Sequence, residues 1–134
     1  YTTLFRSHRA RRERLESVAP DWVLYRPRLG QGSNRLYMTL LNGGFGPAVR
    51  TAARFDATSK HPDTRVTIET KRPGGDVAFR HETAKATLHW EREGLPRGTL
   101  TIESESCLGH RHERSFTLWW SGEANPTPHF ERLD

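Results

Sequence analysis

Three side chains in the last third of the chain have the types that bind a soft metal: Cys107, His110 and His112. A thiolate and two imidazoles suit zinc. Structural zinc takes four ligands, whereas this stretch supplies three, at irregular spacing. Catalytic zinc can use three but needs a pocket, and a hairpin tip is convex. Strand alternation puts His110 and His112 on one face, with Cys107 across the tip. The expectation is therefore no metal and no cofactor. Cys107 is read as a small buried residue beside solvent-facing histidines. The triplet is kept only as the candidate site of a metal-dependent hydrolase.

Other catalytic patterns are weaker. Ser104, Ser106 and Ser115 lie near histidines in sequence. A nucleophile needs a base within hydrogen-bond reach, and sequence proximity establishes none. No catalytic residue is assigned, and the chain is not expected to be an enzyme. Gly43-Gly44-Phe45-Gly46 lacks the Lys-Ser/Thr pair of a phosphate loop and precedes a strand, so it reads as a corner. The seven histidines are scattered, which suits solvated side chains better than a pH switch.

Binding residues are easier to argue. Trp119 and Trp120 must face opposite sides of a strand. An outward Trp119 beside Arg114 would offer a stacking surface for a nucleic acid. Packing against Phe130 is the alternative, and Trp22, Trp90 and Trp120 are expected in the core. Arg9, Arg11, Arg12 and Arg14 form the one dense basic run. At an anionic membrane surface each such residue contributes about 1 kcal/mol. By the positive-inside rule the run would place the domain on the cytoplasmic side. A solvated helix is the competing reading.

Composition bounds these ideas. The chain has 134 residues, enough for one domain with a real core. Four Trp, six Phe and three Tyr argue against disorder. A net charge of +5 permits nucleic acid or an anionic membrane without demanding either. The single cysteine excludes an internal disulfide framework. No run approaches the ~18 apolar residues of a membrane span.

The positioning elements follow from periodicity. Residues 1–7, Tyr1-Thr2-Thr3-Leu4-Phe5-Arg6-Ser7, can be back-translated as TAC ACG ACG CTC TTC CGA TCT, the end of a short-read sequencing adapter. They are expected to be an artefact of an assembled metagenomic fragment, with the native chain beginning upstream of His8. Residues 8–20 read as a short basic helix of juxtamembrane type, ended by Pro20. Residues 21–120 alternate apolar and polar positions between turn clusters. Leu36, Met38 and Leu40 share one face, as do Ala84, Ala86, Leu88 and Trp90, and Phe116, Leu118 and Trp120. Leu108-Gly109 marks a hairpin tip. Residues 121–134 hold Pro126 and Pro128 and read as a loose tail, with Phe130 as a tack. The expected fold is all-β: an antiparallel immunoglobulin-like sandwich of about seven strands, preceded by a short charged helix.

Two stretches carry a resemblance. Leu40-Leu41-Asn42-Gly43-Gly44-Phe45-Gly46-Pro47-Ala48 resembles the asparagine, glycine, glycine-proline-alanine turn of CARDB-like, adhesion-related immunoglobulin-like domains. The hairpin from Leu100 to Trp120 around Gly109 is similar to their final strand pair. Where such domains carry an aromatic and an aspartate before that glycine, this chain has Ser104 and Ser106. The resemblance spans roughly Trp22 to Trp120. It implies a domain that follows a membrane helix and a basic helix, and a binding, adhesion or assembly role without catalytic residues. The expectation is a non-enzymatic module for an unknown protein partner. It would be membrane-associated through a missing N-terminal helix. A soluble nucleic-acid-binding domain is the rival.

Overall fold

A computed structural model describes residues 18–58, 60–72, 74 and 76–133. The described residues run through eight strands: β1 (Trp22–Leu29), β2 (Arg35–Asn42), β3 (Val49–Ala57), β4 (Arg65–Thr70), β5 (Thr83–His89), β6 (Gly98–Glu105), β7 (Arg111–Ser121) and β8 (Thr127–Leu133). They form two antiparallel four-stranded sheets, ordered β1-β2-β5-β4 and β3-β6-β7-β8. β1 runs beside β8 and β3 beside β4, so the two sheets close on each other along both sides.

Alternation sets which residues enter the interior. In the first sheet Leu36 lies opposite Leu88, Met38 opposite Ala86 and Leu40 opposite Ala84, all buried. Met38 and Leu40 on β2 thus meet alanines on β5, leaving room for the second layer to interdigitate. The second sheet answers with Leu100, Ile102, Phe116 and Leu118. Full burial of each such side chain contributes about 1.5–3 kcal/mol. Three tryptophans also tie loops to this core. Trp22 Nε1 donates to Ser104 Oγ at 3.3 Å, Trp90 Nε1 to the Gly94 carbonyl at 3.0 Å, and Trp120 Nε1 to the Pro96 carbonyl at 2.7 Å.

The corner between β2 and β3 carries the chain from one sheet to the other and is centred on Asn42, which has no exposed surface. Its Oδ1 accepts the N–H of Asp21 (3.2 Å) and Gly44 (3.1 Å). Its Nδ2 donates to the carbonyls of Gly46 and Ala78, each at 3.0 Å. Both donors and both acceptor positions of the amide are therefore used. Its backbone N–H donates to Glu82, and its carbonyl accepts the His81 N–H. Glycine is required at two neighbours by close approach. A Cβ on Gly44 would lie 2.4 Å from the Ala19 carbonyl oxygen, and one on Gly46 would lie 2.2 Å from that of Val18.

Two expectations change here. Of the stretch 121–134, expected as a loose tail, the described residues 127–133 form β8, which pairs with β7 along its length and sets Phe130 opposite Leu118. Pro126 and Pro128 hid it: proline lacks a ladder donor, but an edge strand needs donors on one side only. The strands therefore number eight, and the domain runs past Trp120. The helix expected over 8–20 is not supported. Residues 8–17 lie outside the described residues, as do 1–7, and Val18–Asp21 are not helical. Instead the Ala19 and Asp21 carbonyls accept the N–H groups of Phe45 and Gly43.

Replacing the corner amide tests this arrangement. Asn42→Asp keeps the size but turns an acceptor toward two carbonyls, and Asn42→Ala leaves four backbone groups without that partner. Each is expected to cost about 3 kcal/mol or more in urea unfolding. Gly44→Ala and Gly46→Ala are expected to lose roughly 1–3 kcal/mol. Gly43→Ala, whose Cβ would meet nothing nearer than Val23 Cγ2 at 3.7 Å, should stay within about 0.5 kcal/mol of the parent.

Candidate functional site

The domain end where Val18–Asp21 joins the sandwich is the most distinctive surface. Two loops meet there, one before β3 and one before β5, joined by paired hydrogen bonds between Ala48 and Ala78. They hold Phe45 and Phe79 outward, 66% and 44% exposed. Arg80 lies over the Phe45 ring at 5.3 Å and Arg72 over the Phe79 ring at 4.4 Å. Two cation–ring pairs, Arg80 with Phe45 and Arg72 with Phe79, thus sit on these loops. Glu82 orders the second pair, accepting the Arg72 Nε–H and the Phe79 N–H. The Arg72 hydrogen bond, then that of Phe79, hold the Glu82 carboxyl below its ordinary range.

Asp21 fixes the same end to the second sheet. Its carboxylate pairs with Arg114 of β7 at 2.5 Å and with Arg132 of β8 at 3.0 Å. Burial works to raise its pKa, but the hydrogen bonds and charges of Arg114 and Arg132 outweigh it and hold the group below its ordinary 3.8. Arg114 is thereby turned away from Trp119. The two residues belong to opposite faces of β7, and the stacking patch expected between them does not form. Trp119 does face outward, 44% exposed, but its ring stacks on His129 at a centroid distance of 4.2 Å. Packing on Phe130 is not its role, because Phe130 joins the core.

His129 also bonds Ser121 Oγ through Nε2 at 2.6 Å. This Ser–His pair was missed in sequence because it requires β8 to be a strand. Among the described residues no carboxylate bonds its other nitrogen, so the pair lacks the orienting acid of a triad.

The hairpin tip does not gather a metal site. Cys107 is exposed, not buried as expected. Among the described residues no three His, Cys, Asp or Glu side chains converge to hold a metal ion. Ser106 is the residue that shapes the tip, its Oγ accepting the N–H groups of Leu108 and His110. His112 is half-buried, and its Nε2 has no partner. Burial, then His110 and Arg114, push its pKa below 6.5. Ser104 supports the Trp22 indole and Ser115 bonds Thr101, so neither is offered to a histidine. Arg9, Arg11, Arg12 and Arg14 lie outside the described residues.

The two outer sheet faces differ in charge. On the second sheet Glu103 pairs with Arg54 and, at 2.8 Å, with Arg111, while Arg50 pairs with Glu105 at 3.0 Å. The first sheet carries an open groove of about 730 Å³ lined by Arg28, Tyr37, Thr67, Lys85 and Thr87 among others. Arg28 lies over the Tyr37 ring at 5.5 Å. No family model matches the chain, and no curated protein or solved structure matches it.

The Asp21 clasp predicts a pH signature. Because the folded carboxyl sits below 3.8, its contribution is complete above that value and is lost as pH falls through the lower folded value. Asp21→Asn is expected to cost roughly 1 kcal/mol at pH 7, the magnitude of a partly exposed pair. Denaturation at stepped pH should show the gap between parent and variant closing on acidification. A gap that stays constant down to pH 2.5 would contradict the assignment.

Proposed function

We propose that the chain is a non-enzymatic interaction module of immunoglobulin-like type, tethered at an anionic membrane surface by a segment that precedes the described residues. The end bearing Phe45 and Phe79 faces the lipid. Both outer sheet faces are left for a protein partner. The strand order supports the fold assignment: the constant-type immunoglobulin sandwich pairs strands A-B-E-D in one sheet and C-F-G in the other. Here β1-β2-β5-β4 and β3-β6-β7 follow that order, and β8 is added beside β7.

One observation carries the membrane reading. The exposed Phe45 and Phe79, each with an arginine over its ring, lie at the same end as the point where the preceding chain joins the sandwich. Convex aromatic tips can enter the headgroup region while neighbouring cations meet anionic lipid. The basic run Arg9, Arg11, Arg12 and Arg14 precedes this end and adds to its charge, and it puts the domain on the cytoplasmic side. Among the described residues no helix is long and apolar enough to cross a membrane.

Co-sedimentation of the whole chain with lipid vesicles tests this reading. It is expected to bind phosphatidylserine-containing vesicles at low salt and to bind pure phosphatidylcholine several-fold less. Phe45→Ser/Phe79→Ser, which alters only exposed side chains, should lower the bound fraction several-fold without changing the unfolding midpoint. Binding that ignores both the lipid charge and the two phenylalanines would remove the proposal.

A further inference from the structure

The first sheet carries a row of cations that its own packing does not explain. β2, β5 and β4 are neighbours, and their register puts Arg35 opposite His89 and His89 opposite Arg65. Residues directly opposite on one face are in side-chain contact range, where like charges destabilise a sheet. On the second sheet the like-charged opposite pair Glu103–Glu113 is bridged by Arg111, and Glu103 also pairs with Arg54. Among the described residues neither Arg35 nor Arg65 has an ion pair. His89 is half-buried between them.

We infer that Arg35, His89 and Arg65 form a binding site for a tetrahedral oxyanion, the phosphate or sulfate group of a small ligand whose body lies in the groove over Tyr37. The row borders a hollow of about 310 Å³, which Ser33, Asn34 and Trp90 also line. Asp63 and Glu91 line the same hollow. Asp63 accepts the Glu91 N–H, and Asn34 donates to the Glu91 carbonyl, so these loops are tied to one another. Carboxylates on that side disfavour further negative charge there, so the rest of the ligand extends the other way. In that direction the next cross-strand rows are Arg28–Tyr37–Thr87–Thr67 and Tyr25–Thr39–Lys85–Glu69. They form the groove of about 730 Å³.

The shape of β1 gives the groove its wall. β1 shifts register between Tyr25 and Arg28, and Arg26 there takes a φ of 53°. A non-glycine residue in the left-handed region is strained, and a bulge of this kind bends its strand and re-aims side chains. Arg26 and Pro27 line the groove as a result. The guanidinium fork of each row arginine matches oxyanion geometry, and a neutral imidazole between them adds one N–H donor.

His89 supplies the readout. Burial, then the charges of Arg35 and Arg65, hold its pKa below 6.5 in the free protein. Of the charged groups around it, Arg35 on β2 and Arg65 on β4 lower the pKa, and Asp63 and Glu91 complete the rim. An oxyanion bound in the row reverses the local sign and raises that pKa.

The experiment is NMR of the histidine rings in the full chain. Inorganic phosphate and inorganic sulfate are titrated separately, with ionic strength held constant by chloride. The expected result is a saturable shift of the His89 resonance and an upward move of its titration midpoint. Arg35→Ala and Arg65→Ala should each weaken the response about tenfold or more. The resonance of buried His61 reports whether each variant stays folded. A response to phosphate alone assigns a phosphate ester, and an equal response to sulfate extends the class to sulfate esters. The inference is overturned if chloride gives the same shift, if exposed His81 and His110 respond as strongly as His89, or if the response survives in the folded double variant.

Discussion

A buried amide is costly unless every polar atom finds a partner, and Asn42 meets that condition with four side-chain hydrogen bonds and two from its backbone. Those bonds reach the start of β1, the corner into β3 and the loops before β5, segments far apart in sequence. Gly44 and Gly46 then allow the lead-in residues to lie against the corner backbone. From there Asp21 extends the same joint to β7 and β8. One side chain thus fixes where the preceding chain leaves the domain, and the outward aim of Phe45 and Phe79 depends on it.

The two sheets share one interior but solve their exteriors differently. The second sheet neutralises itself with an ion-pair ladder through Glu103, whose carboxyl is held below its ordinary range first by the Arg111 hydrogen bond. The first sheet sets Arg35, His89 and Arg65 side by side with no ion pair to either arginine among the described residues, although Asp63 and Glu91 line the same hollow. A ladder of exposed pairs adds little stability but presents a face with no net demand for a ligand. An uncompensated row leaves that demand open.

Much of the architecture was legible because it rests on local periodicity. Alternation in β2, β5 and β7 assigned the buried faces, and Asn42–Pro47 was recognised as a corner. Strand geometry put Trp119 and Trp120 on opposite faces, with packing of Trp119 against Phe130 left as the alternative. What escaped was non-local. Asn42 carries a turn residue's signature whether its amide is in water or the core. Arg35, His89 and Arg65 become neighbours only once the register of three strands is known. β8 was hidden by two prolines that an edge position tolerates, and with it went the His129 contacts to Trp119 and Ser121. Cys107 was read as buried from residue type, but a five-residue connection between β6 and β7 places it at the tip.

The position of β8 also bears on how the domain is made. During synthesis the chain emerges from its N-terminal side, so β7 becomes available before its outer partner exists. Until then its eleven residues offer an unpaired ladder edge with Trp119 on its flank. Such an edge is a template for a neighbouring nascent chain on the same messenger. Translation at about 5–20 residues per second completes residues 127–133 roughly 0.6–2.4 seconds later. The closing strand therefore acts as a timed cover, and any pause in translation just after Ser121 would prolong the most association-prone moment in the life of the protein.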